Sequence, residues 1–261
     1  MLKLSAVLIL CLPALSFAET PFSGTWVVQP QLTAFSGRSL SFMIERGTYR
    51  RTSCVPTPEV PTDGRDHPVV GDPFVQSMSV RLLDADRVEV AQRVAGKLAW
   101  KGSYTVGKDR NSMVLKYEDH RPSNAVSGTV QYVREGEVIT NAHLLSGTWK
   151  PEKLLDLSPS GSTMTFHDTD HGLSMTASDG RAFDIKFDRQ DYPLSGYLEG
   201  ASVQVGLRRP TVMQINRKQQ GMLVEMTIAP LSEDGQTLSF GPLDEQCQSK
   251  VTYAMSKQPS P

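Results

Sequence analysis

Apolar and polar positions alternate along this chain with a period of two. Met78, Val80 and Leu82 interleave with Ser77, Ser79 and Arg81, the pattern of a strand with one buried face. It returns at Val88 and Val90, at Val203, Val205 and Leu207, and at Met213 and Ile215. Turn signals break it at short intervals: Arg46-Gly47, Ala95-Gly96, Glu135-Gly136, His171-Gly172, Asp179-Gly180, Gln220-Gly221 and Asp234-Gly235. Glycine at such places can adopt the positive φ that tight hairpins need. The expected fold is all-β, and the one weak helical turn expected lies near "PEKLLDL" (151–157).

The chain also repeats itself. "FSGTWVVQPQL" (22–32) returns as "LSGTWKPEKLL" (145–155), and "DHPVVG" (66–71) returns as "DYPLSG" (191–196). "SVRLLDADRVEV" (79–90) aligns with "QVGLRRPTVMQI" (204–215), "VGKDRNSMVL" with "LSEDGQTLSF", and "VQYVRE" with "VTYAMS". Order and spacing persist where identity is low, which marks an internal duplication. Each copy supplies about eight short strands, enough to close into a small up-and-down antiparallel barrel. The predicted organisation is a signal peptide at 1–18, one barrel at 19–140, a second at 141–256, and a short tail at 257–261. The rival arrangement is one larger barrel or sandwich to which each copy gives half. Copies of this length can each bury a core of their own, which favours two tandem barrels.

Gly24-Thr25-Trp26 and Gly147-Thr148-Trp149 stand where lipocalins carry a Gly-x-Trp at the start of the first strand. Each copy resembles an uncharacterised family of secreted bacterial lipocalin-like β-barrel domains. That family opens with Ser-Gly-Thr-Trp-Lys and carries an Asp-Tyr-Pro-Val-x-Gly phrase ahead of a Val-Ser-x-x-Arg strand. The resemblance implies that Trp26 and Trp149 plug the closed ends of two barrels, and that an Arg from the last strand lies against the Trp. Arg134, in "VQYVRE", is the expected partner of Trp26. The second copy departs from the pattern, offering only Lys250 or Lys257, so Trp149 is expected simply to be packed. Large rings closing a core explain both Trp residues better than ligand contact does. The Asp-His-Pro and Asp-Tyr-Pro phrases read as extended entries into the next strand, because a residue before Pro is driven out of the helical region.

The N-terminal segment "MLKLSAVLILCLPALSFA" has an early Lys3, an apolar run, and small residues at the cleavage-site positions. It predicts export to the periplasm or beyond, most naturally in a Gram-negative bacterium. A lipoprotein alternative at Cys11 lacks the small residue expected just before the Cys. No other stretch is apolar enough to span a membrane as a helix. With 27 Lys and Arg against 28 Asp and Glu, formal net charge −1, nothing draws the protein toward nucleic acid or anionic lipid. Cys54 and Cys247 are the only cysteines beyond the signal segment, and neither has a counterpart in its own copy. In an oxidising compartment they are expected to pair, tying the two copies together. Reactive thiols or an intermolecular bridge are the rivals.

"TFHDTDHG" (165–172) gathers His167, Asp168, Asp170 and His171, ligand types that suit zinc or a similar ion. The spacing of the two His residues brings ligands together on a helix, whereas this context is a hairpin, and a solvated polar turn is the stronger reading. Asp63, Asp66 and His67 suggest an acid–base pair, but neighbours in an extended segment point to opposite sides, so Asp66 is not placed to orient His67. No hydrolase elbow, phosphate loop, dinucleotide fingerprint or zinc-protease sequence occurs. The expectation is a non-enzymatic protein without cofactor, holding a small apolar or amphipathic ligand in a barrel. The alternative is a structural or interaction protein of the cell envelope, its barrels filled by side chains such as Met78, Val80, Met113 and Met213. An enclosed cavity of several hundred Å³ would favour the first, and filled barrels the second.

Overall fold

The computed structural model describes residues 20–72 and 74–259, so the expected signal peptide lies outside the described residues. The chain is all-β and forms two nearly closed antiparallel barrel-like sheets of about ten strands each. Among the described residues the helical segments are two single 3-10 turns, at Pro30–Leu32 and Pro159–Gly161. Among the described residues no helix is long and apolar enough to cross a membrane.

The first barrel runs in chain order from Leu40–Glu45 and Thr48–Arg51 through Ser77–Leu82, Arg87–Val94, Lys97–Val106 and Ser112–Asp119 to Val126–Glu135 and Gly147–Leu157, the last of which pairs back to Leu40–Glu45. The second runs from Thr163–Thr169 through Ala201–Arg209, Val212–Gln219, Met222–Pro230 and Thr237–Asp244 to Ser249–Lys257. Isolated bridges, Asp63 to Arg81 in one and Ala182 to Ser195 in the other, draw the free edges together. The hairpins at Arg46-Gly47, Ala95-Gly96 and Gln220-Gly221 have positive φ at both residues, as expected of tight turns between right-twisted strands. His67–Pro68 and Tyr192–Pro193 are matching two-residue strands, which pair with Ser77–Leu82 and Ala201–Arg209 respectively.

The two barrels exchange their opening strands. Gly24–Val28, from the first copy, pairs with Thr163–Thr169 and Ser249–Lys257 of the second. Gly147–Leu157, from the second copy, pairs with Val126–Glu135 and with Leu40–Glu45 of the first. Val126–Glu135 and Gly147–Leu157 are consecutive in the chain and pair as hairpin neighbours, the arrangement that costs least in loop closure. The N-terminal strand occupies the corresponding place in the second barrel, and Ala34–Gly37 extends it along Ser249–Thr252. Each barrel is therefore built from both sequence copies.

Two local expectations change. "PEKLLDL" is not helical but continues the strand Gly147–Leu157. Two register shifts against Val126–Glu135 break the alternation there, which hides the strand and accommodates Pro151. The expected tail starts too early, because Lys257 belongs to the last strand and the Gln258 amide donates to the Thr25 carbonyl at 2.8 Å. Of the expected inward residues, Met78, Val80, Val88, Met113, Val203, Met213 and Ile215 are buried, whereas Leu82 is 37% exposed at a strand end.

Candidate functional site

Each Gly-x-Trp phrase builds the closed end of a barrel. Trp26 and Trp149 are fully buried, and their indole N–H groups donate to the carbonyls of Phe22 and Leu145 at 2.8 Å. The Ser before each Gly binds the neighbouring strand: the Ser146 hydroxyl accepts the Ile44 amide, and the Ser23 hydroxyl accepts that of Asp168. Because the strands are exchanged, the expected cation partner is exchanged too. Arg134 lies 4.0 Å from the ring centre of Trp149, not over Trp26 as the resemblance implied, and Lys257 covers Trp26 at 5.5 Å. Arg134 is fixed by donating to the carbonyls of Arg110, Ser146 and Leu144. With no carboxylate among these partners, burial holds its pKa below the ordinary arginine value.

Strand direction places the opposite, open ends face to face. Trp100, Tyr117, Asp119, Val126 and Leu157 lie at the ends of first-barrel strands farthest from Trp149. Arg217, Glu225, Asp244 and Val251 hold the same place in the second barrel, far from Trp26. Between these mouths lies a chamber of about 470 Å³ lined from both barrels. Nine aromatic side chains among the described residues border it, Trp100, Tyr104, Tyr117, Tyr132, Tyr197 and Tyr253 among them. The interior of each barrel beyond it is closed by packed side chains, with Val80, Met113, Leu173 and Met213 fully buried.

A belt of alternating cations and rings joins the mouths. Arg121 lies 5.5 Å from the Phe74 ring centre, and Arg217 lies 5.2 Å from that ring and 5.0 Å from Tyr197. Arg181 approaches the other side of the sequence at 6.0 Å from Tyr197. Each arginine has its own carboxylate: Arg121 with Asp119 at 2.6 Å, Arg217 with Glu225 at 2.7 Å, and Arg181 with Asp179 at 2.7 Å. Burial alone would raise the pKa of Asp119 and of Glu225, but Arg121 and Arg217 hold both below the ordinary carboxylate range. Asp72 moves the other way, raised by burial. Paired charges at this depth add little net stability; each pair lies within one barrel, and the belt crosses between barrels where Arg217 lies over Phe74.

Cys54 and Cys247 form the expected disulfide, at the border of the same chamber. Beside it, the Val55 amide donates to the Gln246 carbonyl across the two barrels. Asp244 stays within its own turn, accepting the amides of Gln246 and Cys247 at 2.9 Å.

The sequence's metal candidates do not converge. Asp168 turns toward the N-terminal segment and accepts from Thr20 and Ser23, while the exposed His171 meets Asp184 at 3.2 Å. His167 and Asp170 are exposed, and among the described residues no group of three or more His, Cys, Asp or Glu is placed to hold a metal ion. His67 does find a carboxylate, but it is Asp63 at 2.9 Å on the surface, while Asp66 pairs with Arg93. An open groove of about 680 Å³ on the outer face of the first barrel is lined by charges that include two mutual pairs, Arg81 with Glu89 and Lys101 with Glu118.

The chamber residues were invisible to a reading that treated each copy as a closed unit. Its two walls are far apart in sequence, and Arg121, Arg181 and Arg217 occupy no recognisable motif. The one signal pointing there was the pair of unmatched cysteines. No family model, curated protein or solved structure matches the chain.

Proposed function

We propose that this chain is an exported lipocalin-like binding protein that holds a small amphipathic ligand between its two barrels. The observation that carries the reading is the aromatic chamber where the mouths meet. Its volume falls within the ordinary range of small-molecule sites, about 300–1,000 Å³, and its walls combine aromatic rings with many charged groups, which suits a ligand with both an apolar and a polar part. The packed barrel interiors support a ligand held at the junction rather than deep inside either barrel. The Gly-x-Trp strands and the disulfide fit the same reading, as a rigid frame for a preformed site. Binding rather than catalysis is the role assigned, and the expected compartment is the periplasm or the medium.

Native mass spectrometry of protein purified from its own host tests the reading. The expected result is a co-purified small molecule that is lost when the chamber is filled by Val224→Trp. A mass equal to that of the bare polypeptide in every preparation, with no uptake of an amphipathic probe, would favour the envelope-scaffold reading instead.

A further inference from the structure

The belt does not use every arginine of the chamber. Arg51 ends the strand Thr48–Arg51 and lines the chamber wall. Among the described residues it has no carboxylate within 4.0 Å and no side-chain hydrogen bond, and its Nε is buried without a partner. A second orphan donor, Nε of Arg217, lies in the same chamber on a residue only 9% exposed. Leaving guanidinium donors unsatisfied at this depth is costly unless something else accepts from them.

The surroundings of Arg51 add more donors. Tyr104 and Tyr132 line the chamber beside it, and neither hydroxyl is hydrogen-bonded to another group among the described residues. Burial raises the pKa of both, so they remain protonated O–H donors. Two carboxylates also face the chamber outside the belt pairs. Asp244 accepts two amides of its own turn on Oδ1, and its charge also reaches Arg51; Asp72 accepts from the Phe74 amide at 2.8 Å. Arg38 and Lys250 line the chamber as well, so unpaired cations outnumber unpaired carboxylates.

We propose that Arg51, flanked by the Tyr104 and Tyr132 hydroxyls, is the head-group site of the chamber, and that the ligand is an amphipathic organic anion whose apolar body lies against the aromatic wall. The inference deepens the binding role proposed above and rests on it. A planar guanidinium matches the two oxygens of a carboxylate, or two oxygens of a phosphate monoester, in a bidentate fork. The rings provide a face that accepts an apolar body without demanding one shape.

Calorimetric titration with dodecanoate, monododecyl phosphate and dodecanol separates the possibilities. Wild-type protein is expected to bind at least one of the two anions at least tenfold more tightly than the alcohol, and the stronger of the two identifies the head group. Arg51→Gln is expected to lose that preference, with Arg51→Lys keeping part of it. Near-ultraviolet circular dichroism and the thermal midpoint establish that both variants are folded. Should Arg51→Gln fail to fold, the wild-type preference for anion over alcohol and its partial retention in Arg51→Lys still decide. Equal binding of anion and alcohol, or an anion preference unchanged in Arg51→Gln, overturns the head-group assignment while leaving the binding role intact. Failure of all three probes to bind overturns both.

Discussion

The two glycines of the Gly-x-Trp phrases look interchangeable in sequence and have the same backbone conformation, φ +128°. What lies across them differs. A methyl group on Gly147 would come within 2.5 Å of Arg134 Nη1, and on Gly24 within 2.6 Å of Lys257 Cε. Arg134 is held by three carbonyls, whereas Lys257 has a flexible stem and can withdraw. Both Gly→Ala substitutions incur the strain of an unfavourable positive φ, about 1–3 kcal/mol. Gly147→Ala should lose more than Gly24→Ala, because it must also displace a fixed guanidinium. Urea unfolding at constant slope measures the difference; equal losses would show that Arg134 is no more firmly held than Lys257. At this scale the sequence was highly legible. Trp26 and Trp149 were readable as core plugs, since a large ring two residues after a glycine in an opening strand has few other roles. The identity of each cation partner was not readable, because that depends on which barrel the strand joins.

Element order explains that failure. Self-similarity reports where a duplicated gene segment begins, and both copies begin at Ser-Gly-Thr-Trp. Hydrogen bonding follows a different frame: the first barrel is the continuous stretch from Leu40 to Leu157, one strand out of step with the first copy. Period-two alternation located nearly every strand, since Met78, Val80, Val88 and Met113 each face a core. It could not say which sheet an opening strand enters, because Gly24–Val28 and Gly147–Leu157 present similar faces to either barrel. The structure therefore predicts different behaviour from two fragments. Residues 38–157 contain all the strands of the first barrel, including Trp149 with Arg134 over it, and should fold alone with a cooperative unfolding transition. Residues 19–140 must close the same sheet with the N-terminal strand, which lacks Leu154 and is interrupted at Pro30–Leu32. That fragment should unfold at a lower denaturant concentration. Circular dichroism during urea titration compares them, and a more stable 19–140 would mean that the exchange is not the preferred pairing.

For the whole molecule, two devices of different chemistry hold the barrels mouth to mouth. The disulfide joins residues 193 positions apart, and a crosslink closing so long a loop stabilises by roughly 5 kcal/mol in the chain-entropy picture. The belt depends instead on arginines that ionised carboxylates hold in place, Arg217 reaching Phe74 of the other barrel. Asp119 and Glu225 have folded pKa values below their ordinary 3.8 and 4.5, so the stability they contribute is complete above those values and is lost as pH falls through the lowered ones. Asp72, raised by burial, has the opposite sign: its uptake of a proton favours the folded form as pH falls, and offsets part of the loss. The two devices back each other up, and removing one should expose the other. At neutral pH, Cys54→Ala with Cys247→Ala should lower the unfolding free energy by about 2–5 kcal/mol while the belt keeps the barrels docked. As pH falls below about 4, the wild type should stay compact under its covalent tether. The double variant should instead part at the chamber before either barrel unfolds, since the carboxylates buried with their cations, Asp119 and Glu225, lie at the chamber, whereas the Arg87–Asp84 pair at a closed end is exposed. Small-angle scattering across that range reads the separation as a rise in radius of gyration. A double variant that stays as compact as the wild type until its strands melt would place the cohesion in the apolar contacts of Tyr197, Tyr253 and Leu157, which touch both cores.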